Sequence, residues 1–385
     1  MERLRIEQLI PASPAAVWPL ISDPARMNRW SKAPIRLLDP GDGGGPGDVG
    51  ALRRIEVHAL GRKVSFDEVI VASEPPHRLG YRVFRGLPVR VHRGEIQLHE
   101  LRRGTQLVWD VEFEFYLPGL GRVARAILER QLADSVAAIV QEVRHDEPVR
   151  PSTPRALPRF DLGPLRERAS SVLDEQRALA DALQHGEDPK YWFARVYQYV
   201  TEAQLSLCDK GAVAHVDWVL ALIPEFHRYY AGNLEHWVDG DVAAVERPWQ
   251  RAFRRMEIGG ARHDAMTTAE GLLLAVEAHI EEDLPRALAE VWARRYRQHA
   301  SFVRFRGDYL SMGEVFLRAA DRLIAEMPRR FVPSYIRAAR ALLPAEIPDA
   351  IVHARFYDVP GRRLLAFERG RRFAETLARA LDHSP

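Results

Sequence analysis

Two places in this sequence hold polar groups at spacings that support chemistry. The denser is Glu277 to Pro285, EAHIEEDLP. His279 and Asp283 stand four residues apart, and on a continuous helix that spacing puts both on one face. An imidazole and a carboxylate so placed are two candidate ligands for a divalent metal, with His215, His227 or His236 as distant partners. The same residues have a purely structural alternative. Pro285 cannot continue a helix in mid-run, so Asp283 is equally suited to cap a new helix, which leaves His279 as a buried hydrogen-bonding side chain. A catalytic metal needs a third protein ligand, and spacing does not mark one. The second place is Glu68 and Tyr81, both in strand-like stretches. A buried carboxyl has a raised pKa and can act as a base, and a half-buried phenol can hydrogen-bond a ligand oxygen. No H-E-x-x-H, G-x-S-x-G or strand–helix G-x-G-x-x-G is present.

The elements that position Glu68 and Tyr81 occupy the first 145 residues. Leu4 to Leu9 alternates as a strand. Ser13 and Pro14 open a short helix with Val17, Leu20 and Ile21 on one face, and Asp23-Pro24 opens a second that brings Trp30 to the same side. The glycine-rich run Gly41 to Gly50 lacks the G-K-[ST] ending of a phosphate loop and reads as a flexible connection. Alternating strands follow at about 54–60, 63–72, 79–84, 89–101 and 106–116, separated by turn residues and without intervening helices. That pattern predicts an antiparallel meander. In the last strand Leu107, Trp109, Val111, Phe113 and Phe115 share one face. Residues 122–143 then read as one long helix, with Val123, Ile127, Leu132, Val136, Ile139 and Val140 at three-to-four spacing. A long helix over a curved sheet encloses an apolar space. Trp30, Phe66, Tyr81, Trp109, Phe113, Ile127 and Leu128 are its candidate lining. If Phe66 faces inward, alternation carries Glu68 inward too.

Prolines at 148, 151, 154, 158 and 164 mark a semi-stiff linker over 146–164. From 165 to 385 the period becomes 3.6, predicting helices at about 165–185, 189–206, 211–236, 241–256, 264–281, 285–299, 304–327, 331–343 and 364–382, with one extended piece at Ile351 to Tyr357. The expected fold class is therefore α+β. A helix-grip domain at 1–145 (curved antiparallel sheet, two short helices, one long closing helix) precedes a separate all-α domain at 165–385.

The segments IPASPAAVWPLISDPARMNRWSKAP, PPHRLGYRV, GLPVRVHRGEIQL and PGLG resemble the START-like superfamily (SRPBCC), and within it the polyketide cyclase/dehydrase type. The resemblance covers about 1–145 and implies a hydrophobic ligand held between sheet and long helix. CDKGAVAHVDWVL and AEGLLLAVEAHIEEDLPRAL are similar to an uncharacterised bacterial all-helical family in which A-H-I-x-x-D-L-P recurs. That resemblance covers about 180–330, singles out His279, Asp283 and His215, and carries no activity.

Composition narrows the partners. Lys and Arg number 55 against 53 Asp and Glu, a net charge of +2, so no global field draws the chain to nucleic acid or an anionic membrane. The arginines at 78, 82, 85, 90 and 93 alternate with apolar residues, as a solvated sheet face does. The single cysteine, Cys208, excludes a disulfide framework. No run reaches the roughly 20 apolar residues of a membrane span, and MERLRIEQL lacks the apolar core of a signal peptide. The expectation is a cytoplasmic protein that binds or carries a hydrophobic small molecule of lipid, polyketide or isoprenoid class, with no cofactor. The alternatives are a cyclase/dehydrase using Tyr81 or Glu68, a metal-dependent hydrolase using His279, Asp283 and His215 with a divalent metal in the helical half, and a non-catalytic scaffold.

Overall fold

The computed structural model describes residues 1–59, 62–115, 120–143, 156–258, 264–334, 336–338 and 358–382. The turn at Gly61, the 116–119 part of the sheet exit, most of the linker and the extended piece expected at Ile351 to Tyr357 lie outside the described residues. The chain forms two compact units. One holds residues 1–157 together with 299–311, and the other holds 158–298 and 312–385.

The first unit opens with β1 (Glu2–Ile10), α1 (Pro14–Ser22) and α2 (Pro24–Trp30). Asp23 starts α2 by accepting from the Ala25 N–H at 2.9 Å, the usual repair of an unpaired helix-start donor. Then come β2 (Ile35–Asp39), β3 (Leu52–Ala59), β4 (Arg62–Glu74), β5 (Arg78–Arg85), β6 (Val89–Leu101), β7 (Gly104–Phe115) and α3 (Leu120–Glu142). The sheet is antiparallel with order β1-β7-β6-β5-β4-β3-β2, so β1 closes onto the last strand. β2 was not expected: its five residues, IRLLD, are too few for a periodic signal. The core sits between the sheet and α3, where Leu132, Val136, Ile139 and Val143 of the helical segment meet Leu107, Trp109, Val111 and Phe113 of β7.

The glycine-rich run, expected to be a flexible connection, is an ordered clasp. Gly45 N–H is held by Asp48 at 2.8 Å, and Gly41 N–H by the Gly45 carbonyl at 3.0 Å. Asp42 accepts from the Ser301 N–H at 2.8 Å and from its hydroxyl at 2.7 Å, and pairs with Arg304 at 3.2 Å. Gly50 has φ +88°, and any Cβ there would overlap the Val303 carbonyl. Arg306 is fully buried and donates to the Gly50 carbonyl at 2.8 Å and to Asp39. Gly307 lets α10 (Arg306–Ser311) lie against the backbone of Val71 in β4. The helix expected at 304–327 is therefore divided into a short 3-10 turn (Phe302–Phe305), α10, and α11 (Gly313–Glu326). The 3-10 turn and α10 belong to the first unit and α11 to the second.

The second unit is helical, with α4 (Leu162–His185), α5 (Tyr191–Asp209), α6 (Val216–Val238), α7 (Arg247–Glu257), α8 (Ala265–Glu277), α9 (Leu284–Arg295), α11 and α12 (Val359–Asp382). A π-helical turn, Ala278–Asp283, joins α8 to α9. No described helix is long and apolar enough to cross a membrane.

Arg306→Ala removes a side chain that reaches both Asp39 and the Gly50 carbonyl. Breaking a buried charged contact of this kind costs about 3 kcal/mol. The expected outcome is faster amide hydrogen exchange in peptides covering 39–74. Unchanged exchange there would show that residues 299–311 do not support the sheet.

Candidate functional site

The inward face of the first sheet is built by register. Tyr81 pairs with Ile70 on one side and Gly94 on the other, and its ring lies flat over Gly94, where any Cβ would overlap it. Trp109 Nε1 donates to the Tyr81 hydroxyl at 3.1 Å. One step along, Glu68 pairs with Val83 in β5 and with Arg53 in β3. His92 pairs with Phe113 and lies between it and Tyr81, ring centroids 6.4 and 6.3 Å away.

The electrostatics follow from burial. Arg53 is 1% exposed and distributes its guanidinium among the Ser22 and Pro46 carbonyls and Met27 Sδ. Its Nη1 lies 3.8 Å from Glu68 Oε1, near enough for attraction but too long for a hydrogen bond. Loss of hydration raises the Glu68 carboxyl to about 7, with Arg53 pulling the other way. The Tyr81 phenol is raised by burial and then by the Glu68 charge. His92 is lowered to about 4 by burial and carries an Nδ1 with no partner. At neutral pH this face presents a neutral imidazole, a neutral phenol and a carboxyl near its midpoint.

Of the expected lining residues, the structure brings Tyr81, Trp109 and Phe113 together, with Trp30 and Leu128 packed against the same cluster. Trp30 uses its indole N–H on the Leu20 carbonyl at 2.8 Å. Phe66 instead joins a smaller cluster of Met27, Ile35 and Ile55. Ile127 does not line the interior: it is 55% exposed. The inward stripe of α3 runs through 128, 132, 136, 139 and 143, and residue 127 is one helical step off it. Arg53, His92 and Gly94 were not anticipated. Parity was the available signal, since Arg53 is in phase with Ile55 and Val57, and His92 and Gly94 with Ile96.

In the helical unit His279 and Asp283 do meet. The Leu284 N–H bonds to the His279 carbonyl five residues back, so the helix passes through this stretch with a π turn and Asp283 does not cap a new helix. The wider turn accommodates Pro285, which has no N–H to give. Asp283 is fully buried. Its Oδ2 accepts from His279 Nδ1 at 2.9 Å and Trp249 Nε1 at 3.0 Å, and its Oδ1 from Arg286 at 2.7 Å. Those three donors take three of the about four lone-pair sites of the carboxylate. His215 stands at the start of α6, away from the pair, and among the described residues no group of three or more His, Cys, Asp or Glu is placed to hold a metal. The His279 ring stacks on Phe226, centroids 3.6 Å apart, and burial lowers its pKa against the pull of Asp283.

Strand, two small helices, an antiparallel meander and a long closing helix give the first unit the helix-grip order. Residues 1–144 match the family model for polyketide cyclase / dehydrase and lipid transport. Residues 169–351 match a family of unknown function, DUF5995. Among solved structures, a START superfamily protein from Mycobacterium smegmatis is 16% identical, over 37% of this chain and 97% of its own, with a TM-score of 0.33. The Zhui aromatase/cyclase from Streptomyces sp. R1128 is 19% identical over 37% of this chain and 93% of its own, TM-score 0.32. The protein TTHA0849 from Thermus thermophilus is 18% identical over 37% and 97%, TM-score 0.32. No curated protein matches the chain.

The raised Glu68 pKa carries a signed stability consequence. The folded state keeps this proton to about 7 while the unfolded chain releases it near 4.5. The contribution is complete below 4.5 and is lost as pH rises to 7, on the order of 3 kcal/mol in all. His92 acts in the opposite sense between about 4 and 6.5, so the informative quantity is the difference between wild type and Glu68→Gln. In urea titrations that difference should fall across pH 4.5–7. A flat difference would mean that Glu68 is solvated.

Proposed function

We propose that the first unit binds a hydrophobic small molecule between its sheet and α3, with the helical unit as an accessory. The observation that carries this reading is the hydrogen-bonded Tyr81–Trp109 pair on an inward face where Leu79, Ile96, Val111 and Phe113 supply the apolar area and Glu68 and His92 stand beside them. Such a face offers area to an apolar body and one hydroxyl to a polar end. A lipid, polyketide or isoprenoid has that make-up. Supporting it is the match of 1–144 to a family whose description includes lipid transport.

A second reading has a specific observation behind it. A carboxyl near 7 in an apolar interior is matched to proton transfer at neutral pH. Glu68 would then act as base or acid on a bound substrate, with Tyr81 hydrogen-bonded to a substrate oxygen. That is a cyclase- or dehydrase-type reaction.

Two variants separate the readings. Trp109→Ala should lower uptake of a hydrophobic ligand at least about tenfold, as expected for loss of a large aromatic wall residue, and native mass spectrometry of the purified chain should show less co-purified ligand. Undiminished uptake by a folded variant would end the assignment of this interior as the binding site. Glu68→Gln should leave uptake intact. If it also leaves conversion of a bound polyketide-like substrate intact, Glu68 is not the acid or base.

A further inference from the structure

The helical unit contains a partly open cavity of about 190 Å³, walled by apolar side chains that include Val200, Leu272, Phe316, Leu323 and Ile336. An engineered apolar cavity of about 150 Å³ takes up benzene, so this one has room for a substituted benzene ring. Among its lining residues is His279, 3% exposed, whose Nε2 is buried without a partner. Thr268 also lines the cavity, but its hydroxyl already donates to the Asp264 carbonyl at 2.9 Å.

The protonation of His279 decides what the cavity can accept. Burial keeps the ring neutral, and Nδ1, facing the Asp283 carboxylate at 2.9 Å, is the nitrogen that carries the hydrogen. Nε2 is therefore an unpartnered lone pair within the apolar wall, covered in this structure, and a ligand hydroxyl meets it where the neighbouring side chains shift. A carbonyl or carboxylate offers it no donor, and an ammonium would be stripped of water with no carboxylate to meet it. A hydroxyl brings one donor at small desolvation cost. Tyr197 also lines the cavity, and a hydroxyl oxygen can accept while its hydrogen donates.

We propose that this cavity is a second small-molecule site, independent of the sheet interior, that takes an apolar alcohol or phenol whose hydroxyl donates to His279 Nε2. Asp283, itself fixed by Trp249 and Arg286, is the positioning residue that sets the tautomer.

The test is calorimetric titration of the full chain with para-propylphenol and with para-propyltoluene, which differ by a hydroxyl against a methyl. The phenol should bind about tenfold more tightly, the size of one buried hydrogen bond. His279→Phe should erase that preference. Ala320→Phe, which fills the cavity from its wall, should remove this binding event for both compounds, leaving only uptake by the sheet interior, and does not depend on His279→Phe folding. Equal affinities in the wild type would overturn the proposal. So would absence of binding, or titrations in which Ala320→Phe and the wild type are indistinguishable.

Discussion

A guanidinium cannot shed its proton inside a protein, so a buried one has to be surrounded by acceptors. Arg53 imposes that constraint on the first unit. Its acceptors come from three separate pieces of chain, the Ser22 carbonyl at the end of α1, Met27 in α2 and Pro46 in the glycine-rich run, with the Glu68 carboxyl close by across the sheet. Satisfying one cation therefore fixes the two small helices and the loop against the strands. It also leaves Glu68 beside a charge whose hydrogen bonds are directed elsewhere, and this is why the carboxyl feels burial more than attraction.

Two of the buried acids show how partner number sets chemistry. Glu68 has one cation at 3.8 Å and keeps an exchangeable proton. Asp283 receives three N–H donors within 3.0 Å and orders its surroundings instead, fixing which nitrogen of His279 carries the hydrogen. One arrangement suits a group that gives and takes a proton, and the other suits a scaffold for a neighbouring acceptor.

Much of the sheet was legible because period-2 alternation is a local signal. Leu107, Trp109, Val111 and Phe113 are all buried, as the pattern of β7 requires. The helical character of the second half was equally plain. What escaped reading has physical causes. Five residues of β2 are too short to show a period. Ile127 matched a three-to-four spacing, but the inward stripe ran one residue later. Arg53 and His92 had the right parity for the interior, yet their polarity argued for solvent, because burial of a charge depends on partners that a local pattern does not reveal. The His279–Asp283 contact was foreseen from spacing, whereas the π turn that carries it was not: Pro285 suggested a break, and a widened turn answers the same missing N–H.

The partnership between Asp39 and Arg306 spans 267 residues of sequence, and this bears on how the protein is made. A domain at the start of a chain ordinarily folds while the rest is still being synthesised. Here the sheet lacks its outer support until residue 311 has emerged. At ordinary elongation rates, the further 150 or so residues mean a delay on the order of ten seconds or more. During that interval Val71 of β4 has no α10 to cover it, and apolar surface left bare in a partly made chain is prone to aggregate. The nascent chain thus has a defined window in which a holding chaperone would matter, and it closes when the helical half delivers residues 299–311 back to the sheet.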